Sequence, residues 1–291
     1  MIVRVPASSA NLGPGFDCFG VAWNIYNEIE YELRDGGLLI QGCEERFQGK
    51  DNLTYRAFCR TLQRAGAAVP GLTIRFLKTE IPVSRGLGSS AALIAGGVLA
   101  ADRLCSLSLS EEEKLAVATE IEGHPDNVAT ALFGGMTVSA MAGERAVTKA
   151  CPISPRLHFT VLIPPFELST ELSRSVLPAS YSRADAVFNL SRSALLLRAL
   201  EEGDSDLLKI GLEDRIHQLY RLPLIEGIET AKAAAEACGA IGLCISGAGS
   251  TLLCIAEEEA FTDRLKEALA GSLPDWRVLA VRPDLQGATI L

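Results

Sequence analysis

Apolar and polar residues alternate along Asn27-Glu28-Ile29-Glu30-Tyr31-Glu32-Leu33 and again along Leu72-Thr73-Ile74-Arg75-Phe76-Leu77. This is the period-two pattern of strands with one buried face. Between Ser89 and Leu104 the spacing turns helical and the residues become good helix formers, mostly alanine and leucine. A second helix is marked at both ends. Ser110 and Glu113 stand at capping-box spacing, Glu111, Glu112 and Glu113 fill the first turn, and Gly123 follows the last.

A second half begins near Pro152-Ile153-Ser154-Pro155. Beyond it the pattern predicts a strand over Leu157–Ile163, then helices over Arg183–Glu202 and Leu224–Cys238. Strands are expected over Ile241–Ile245 and Thr251–Ala256, a helix over Glu258–Ala270 and a last strand over Trp276–Val281. Merged, the order is β-α-β-β-α-β, the split pattern of ferredoxin-like sandwiches. The expected class is α+β in two units, residues 1–152 and 153–291.

The 291 residues are 48% apolar and 22% charged, a globular balance. The net charge of −9 argues against nucleic-acid binding, which needs a basic face. It leaves room for a small anionic ligand held by local donors. Met1-Ile2-Val3-Arg4-Val5-Pro6 has no export pattern, so a cytoplasmic location is expected. The uncharged stretch Ala237–Ala256 is long enough to cross a bilayer, but Gly239, Gly242, Gly247 and Gly249 suit a turn between strands instead. No membrane association is expected. The eight cysteines form no Cys-x-x-Cys pair and read as reduced, mostly buried thiols.

The strongest local signal is Pro82-Val83-Ser84-Arg85-Gly86-Leu87-Gly88-Ser89-Ser90-Ala91-Ala92. Two glycines let the backbone approach a ligand, and the helix start that follows offers unpaired N–H groups. Ser89 and Ser90 add hydroxyls where a magnesium-bound phosphate would sit, or they simply cap the helix. The Gly-Lys-Ser/Thr ending of a Walker loop is missing, as are the protein-kinase signatures. Gly86-Leu87-Gly88-Ser89-Ser90-Ala91 does satisfy the dinucleotide fingerprint, yet Lys78–Arg85 intervenes where a strand should lead in directly. An oligophosphate loop is the favoured reading, with a dinucleotide loop and plain helix-packing glycines as alternatives.

The loop does not stand alone. Pro-x-x-x-Gly-Leu-Gly-Ser-Ser-Ala resembles the phosphate loop of the GHMP kinases. Pro6-Ala7-Ser8-Ser9-Ala10-Asn11-Leu12-Gly13-Pro14-Gly15-Phe16-Asp17-Cys18-Phe19-Gly20 and Glu122-Gly123-His124-Pro125-Asp126-Asn127-Val128-Ala129 resemble the homoserine kinase branch of that superfamily. Ile245-Ser246-Gly247-Ala248-Gly249-Ser250-Thr251 resembles its third motif, with Ser250 where proline is usual, which predicts a looser loop. The resemblance covers essentially the whole chain, in order.

That resemblance implies an N-terminal ribosomal-S5-like domain and a C-terminal ferredoxin-like one. It implies ATP-dependent phosphorylation of the side-chain hydroxyl of L-homoserine, a step of threonine biosynthesis. ATP and Mg2+ are the expected cofactors, and a homodimer is compatible with it. Residues Pro82–Ala92 would wrap the triphosphate, Ser90 would reach the metal, and Asn52 would line the adenine pocket. Glu120 is assigned as the second metal ligand, with Glu122, two positions on, as the alternative. Arg174, with Thr170 on the same segment, and Arg221 would take the substrate carboxylate, for which a planar guanidinium suits a bidentate contact. Asp17 and Asp126 would take the ammonium, with Asn11 and His124 nearby. Asn127 holds the place where several relatives carry an aspartate base. An amide is no base at neutral pH, so Asn127 is expected to orient the hydroxyl while the proton passes late to the phosphate. His158 and His217 read as structural.

Overall fold

The computed structural model describes residues 1–291. Strand β1 (Ile2–Asn11) turns back at Leu12–Pro14 into the 20-residue β2 (Gly15–Arg34) and pairs with it antiparallel from Ile2↔Glu30 to Asn11↔Gly15. The predicted alternation holds in β2, where Ile29 and Tyr31 are buried. Its acids face outward, and Arg75 bridges Glu30 and Glu32 at 2.7 and 3.1 Å. Then come β3 (Leu38–Gln41), α1 (Leu53–Arg64), β4 (Gly71–Thr79), α2 (Ser89–Leu104), α3 (Glu111–Glu122), α4 (Asp126–Phe133), β5 (Met136–Ala142) and β6 (Arg145–Cys151). The capping box predicted at Ser110 and Glu113 forms, and Gly123 ends α3 in the left-handed region. Helix α2 packs closely on α1 because Gly97 has no side chain. A Cβ there would lie 2.2 Å from the Thr54 carbonyl oxygen.

The second half adds β7 (His158–Ile163), α5 (Thr170–Ser175), α6 (Arg183–Glu202), α7 (Ser205–Gly211), α8 (Gln218–Arg221), α9 (Ile228–Ala237), β8 (Gly242–Ile245), β9 (Leu252–Ala256), α10 (Phe261–Leu269), β10 (Arg277–Val281) and β11 (Thr289–Ile290). Its four-stranded sheet runs β10-β7-β9-β8, antiparallel throughout, which is the expected ferredoxin-like order. Residues 237–256 are a helix end, β8, a loop and β9. No helix in the chain is long and apolar enough to cross a membrane.

Two features bind the halves together. The seven-stranded first sheet is completed by β11, which pairs with β1 through Val3↔Ile290 and Arg4↔Thr289. One face of the second sheet joins the main core, where Trp23 of β2 meets Phe159 of β7 at a centroid distance of 5.1 Å. The other face of that sheet forms a smaller core with α9 and α10. Loops from both halves therefore meet on a shared, rigid base.

Candidate active site

Gly88 ends the phosphate-type loop in the left-handed region and stands as N-cap of α2 without a side-chain cap, so the first amides of the helix stay open. Gly86 also has positive φ, and a Cβ on it would lie 2.2 Å from the Ser246 carbonyl oxygen. The loop is braced from both halves. The Leu87 carbonyl accepts from the Ser8 amide at 3.1 Å, and the Arg85 carbonyl from the Thr251 amide at 3.0 Å. The Arg85 guanidinium donates to the carbonyls of Pro164 and Pro165 at 3.0 and 2.7 Å. A buried relay adds to this: Trp23 Nε1 donates to Ser9 Oγ (2.7 Å), which pairs with Ser246 Oγ (2.6 Å), which donates to the Gly86 carbonyl (2.6 Å).

Over this loop lies a cavity of about 660 Å³. Of the residues expected to wrap a nucleotide, Val83, Ser84, Arg85, Gly86, Gly88, Ser89 and Ser90 line it. Pro82, Leu87, Ala91 and Ala92 do not; Leu87, Ala91 and Ala92 are buried and seat the loop on the core. Asn52 also lines the cavity, but its side-chain amide is already engaged. It accepts from Thr54 N at 3.0 Å, capping α1, and donates to the Phe47 carbonyl at 2.7 Å. The Ser250 expectation is corrected. The loop is held, not loose: Ser250 is fully buried and its hydroxyl donates to the Phe166 carbonyl at 2.9 Å.

The assignment of Glu120 is corrected too. Its carboxylate is drawn to Arg60 and Arg64 on α1, at the protein surface and away from the loop. Glu122 instead lines the cavity and accepts the Ser90 hydroxyl. Burial pushes its carboxyl above the usual range, against the hydrogen bond from Ser90. A hydroxyl beside a half-buried carboxylate is a hard-oxygen donor set of the kind magnesium takes.

Beside the cavity the remaining expected residues form one ion cluster. Asp126, at the start of α4, is fully buried; its Oδ1 faces His124 Nδ1 at 2.5 Å and accepts the Asn127 amide at 2.7 Å. Its Oδ2 has no partner. Burial pulls the His124 pKa down, but the hydrogen bond and charge of Asp126 outweigh it and the net shift is upward. Asp17 takes a two-pronged contact from Arg174 at 2.7 and 3.2 Å. Its amide donates to Asn11 Oδ1 at 2.8 Å, while Asn11 Nδ2 donates to the Gly247 carbonyl at 2.8 Å. Arg221 is the single buried arginine and belongs to no ion pair. It is fixed by Nε donating to the Ser173 carbonyl at 3.1 Å, and burial lowers its pKa to about 10. Arg174 and Arg221 both approach the ring of Phe16, at 5.5 and 5.1 Å. Asn127 and Thr170 line the cavity itself.

Residues 52–135 match the family model described as the GHMP kinases N terminal domain, and residues 196–275 match that of GHMP kinases C terminal. A homoserine kinase of Clostridium botulinum (strain Okra / Type B1) is 42% identical over 290 residues, spanning 99% of this chain and 97% of its own. The chain belongs to the homoserine kinase family of GHMP kinases. A homoserine kinase of Clostridium beijerinckii is likewise 42% identical, covering 99% of this chain and 98% of that one. The crystal structure of a homoserine kinase from Cytophaga hutchinsonii shares the fold with a TM-score of 0.90 at 27% identity, over 100% of this chain and 97% of that one.

Several residues of this homoserine-kinase-family site escape a reading of the sequence. His217, expected to be structural, supports the cluster directly. Its Nε2 contacts the Gly13 carbonyl at 2.7 Å, its Nδ1 lies 3.4 Å from the Arg221 guanidinium, and its ring stacks on Phe16 at 5.4 Å. Asp214 holds that segment by accepting the amides of Ile216, His217 and Gln218. Asp214 and His217 lie in the irregular turn before α8 and only Arg221 is helical, so no regular spacing in the sequence announces the three. Ser8 and Ser9 do carry a signal: neighbours on a strand point to opposite faces, and here one faces Asn127 and the other Trp23.

Proposed function

We propose that the chain transfers the γ-phosphoryl group of ATP to the side-chain hydroxyl of L-homoserine, yielding O-phospho-L-homoserine and ADP. The carrying observation is that the ion cluster holds two unmatched groups of opposite sign: a buried carboxylate oxygen without a donor, Asp126 Oδ2, and a buried guanidinium without a salt-bridge partner, Arg221. A zwitterionic amino acid satisfies both at once, its ammonium on Asp126 and its carboxylate on Arg221. Neither a neutral sugar nor a monocarboxylate does so. Arg174 and Asp17 already neutralise each other and frame the site.

The open amides of α2 and the glycine loop suit a triphosphate. Ser90 and Glu122 would hold a magnesium ion, which when bound offsets charge on the phosphoryl groups. Asn127 then aligns the substrate hydroxyl. As the hydroxyl oxygen bonds phosphorus, the bond to the ADP oxygen breaks and the proton leaves with a phosphoryl oxygen. Asp126 is unsuited as a base, because its Oδ1 is taken by His124 and the Asn127 amide and its Oδ2 by the ammonium. Alignment in place of base catalysis is sufficient for phosphoryl transfer, which needs chiefly positioning and charge stabilisation.

The test is an amino-alcohol, sugar and mevalonate panel with coupled ADP detection. Turnover of L-homoserine ahead of the others is expected. Robust turnover of mevalonate or galactose without homoserine would overturn the reading.

A further inference from the structure

We infer that Ser8 is a positioning residue for the reaction, fixing the rotation of the Asn127 amide relative to the phosphate loop; this rests on the role proposed above for Asn127. Ser8 lies on β1, is fully buried, and donates its hydroxyl to Asn127 Oδ1 at 2.8 Å. The hydroxyl has no other partner among the hydrogen bonds of the structure. A buried hydroxyl left unpaired is costly, so its hydrogen must point to an acceptor, and Oδ1 is the one in reach.

The rotation matters because an asparagine amide turns broadly about its last torsion. A half-turn would exchange its donor for its acceptor. Donation from Ser8 selects the orientation with Oδ1 inward and leaves the NH2 group as the end available to the cavity, which Asn127 lines. That NH2 is the donor able to hold the oxygen of an incoming hydroxyl. The backbone of Asn127 is also fixed: its main-chain N–H donates to Asp126 Oδ1 and its main-chain carbonyl accepts from Thr130 Oγ1 at 2.9 Å.

The same serine is tied to the phosphate loop. Its amide donates to the Leu87 carbonyl at 3.1 Å, and a Cβ on Gly88 would fall 2.0 Å from Ser8 Oγ. The hydroxyl therefore occupies space that any side chain at position 88 would claim. One atom abuts the loop that receives the nucleotide and also fixes the amide that aligns the acceptor hydroxyl. The two reacting groups are thereby referenced to a common point on β1.

The experiment is a double-mutant cycle of Ser8→Ala and Asn127→Ala, with kcat and both KM values measured for each protein. Ser8→Ala should lower kcat roughly three- to tenfold, the loss of one neutral hydrogen bond, with both KM values changed less than about twofold. In the Asn127→Ala background it should cause no further loss. If the two losses multiply, or Ser8→Ala raises the ATP KM instead, Ser8 merely packs against the loop and the inference fails while Asn127 keeps its role. If Asn127→Ala retains full kcat, the role of Asn127 fails and the inference falls with it. Should Ser8→Ala not fold, Ser8→Cys, with a weaker donor in nearly the same space, enters the same cycle.

Discussion

Substituting Glu122 by glutamine separates the two acids at the end of α3. The change keeps the shape of the side chain and an oxygen to accept the Ser90 hydroxyl, and removes only the charge. Because burial raises the Glu122 pKa, its charged form is a burden on the free enzyme. Its removal should leave the thermal midpoint unchanged or slightly raised. Activity should move the other way. A lost charged contact to a bound cation is worth about 1.5–3 kcal/mol, or roughly ten- to 150-fold, felt as a higher magnesium half-saturation and a lower kcat/KM. Glu120→Gln should do the reverse. Glu120 is well exposed and paired with Arg60 and Arg64, so it is worth only about 0.2–1 kcal/mol of stability and nothing in turnover. The assay is coupled ADP release over a magnesium titration, beside thermal melts of both variants. Equal loss of activity in the two variants, or a wild-type magnesium requirement in Glu122→Gln, would refute the reasoning.

Three further outcomes follow from the geometry. Arg221→Lys keeps a charge but loses the planar fork, so the homoserine KM should rise about tenfold with the ATP KM unmoved; an unmoved homoserine KM would shift the carboxylate contact to Arg174. Ser246→Ala strips the Gly86 carbonyl of its donor and the Ser9 hydroxyl of its acceptor. It should cost about 1–3 kcal/mol of stability, raise the ATP KM and change Trp23 emission, and an unaltered ATP KM would sink the bracing role. His217 is held neutral by burial, its pKa below the usual value. As the pH falls below about 6.5 the unfolded chain takes a proton that the folded one refuses, so stability drops on that side. His217→Gln should flatten this acid limb, and melts showing an unchanged limb would contradict it. His124 is shifted upward, so its contribution is present at low pH and lost as the pH climbs, which keeps the two limbs separable.

Much of the architecture could be read in advance because its signals are local. The caps of α3 and the alternation in β2 act within a few residues, and the ferredoxin-like order needs only the sequence of elements. Strand β1 left no such signal. It is buried from Val5 to Asn11 without interruption, so no polar face alternates with an apolar one. Helix α4 spans only eight residues, too few for a period to repeat.

The site divides along the same line. The glycine loop announces itself because only glycine tolerates positive φ and close approach together, as at Gly86 and Gly88. Charged residues announce nothing alone, since an arginine has the same letter whether it is solvated like Arg56 or buried like Arg221. The pair Glu120 and Glu122 shows where such reasoning stops. Two residues apart on a helix is a rotation of roughly 200°, so the two carboxylates point to nearly opposite sides and only one can meet the loop. Which one depends on the roll of α3 about its axis. That roll is set by Leu115, Ala118 and Thr119 packing inward, and by Arg60 and Arg64 of α1 capturing the acid on the other side. Both arginines lie more than 50 residues away in sequence. Motif spacing carries no information about such a contact, and the fold supplies it.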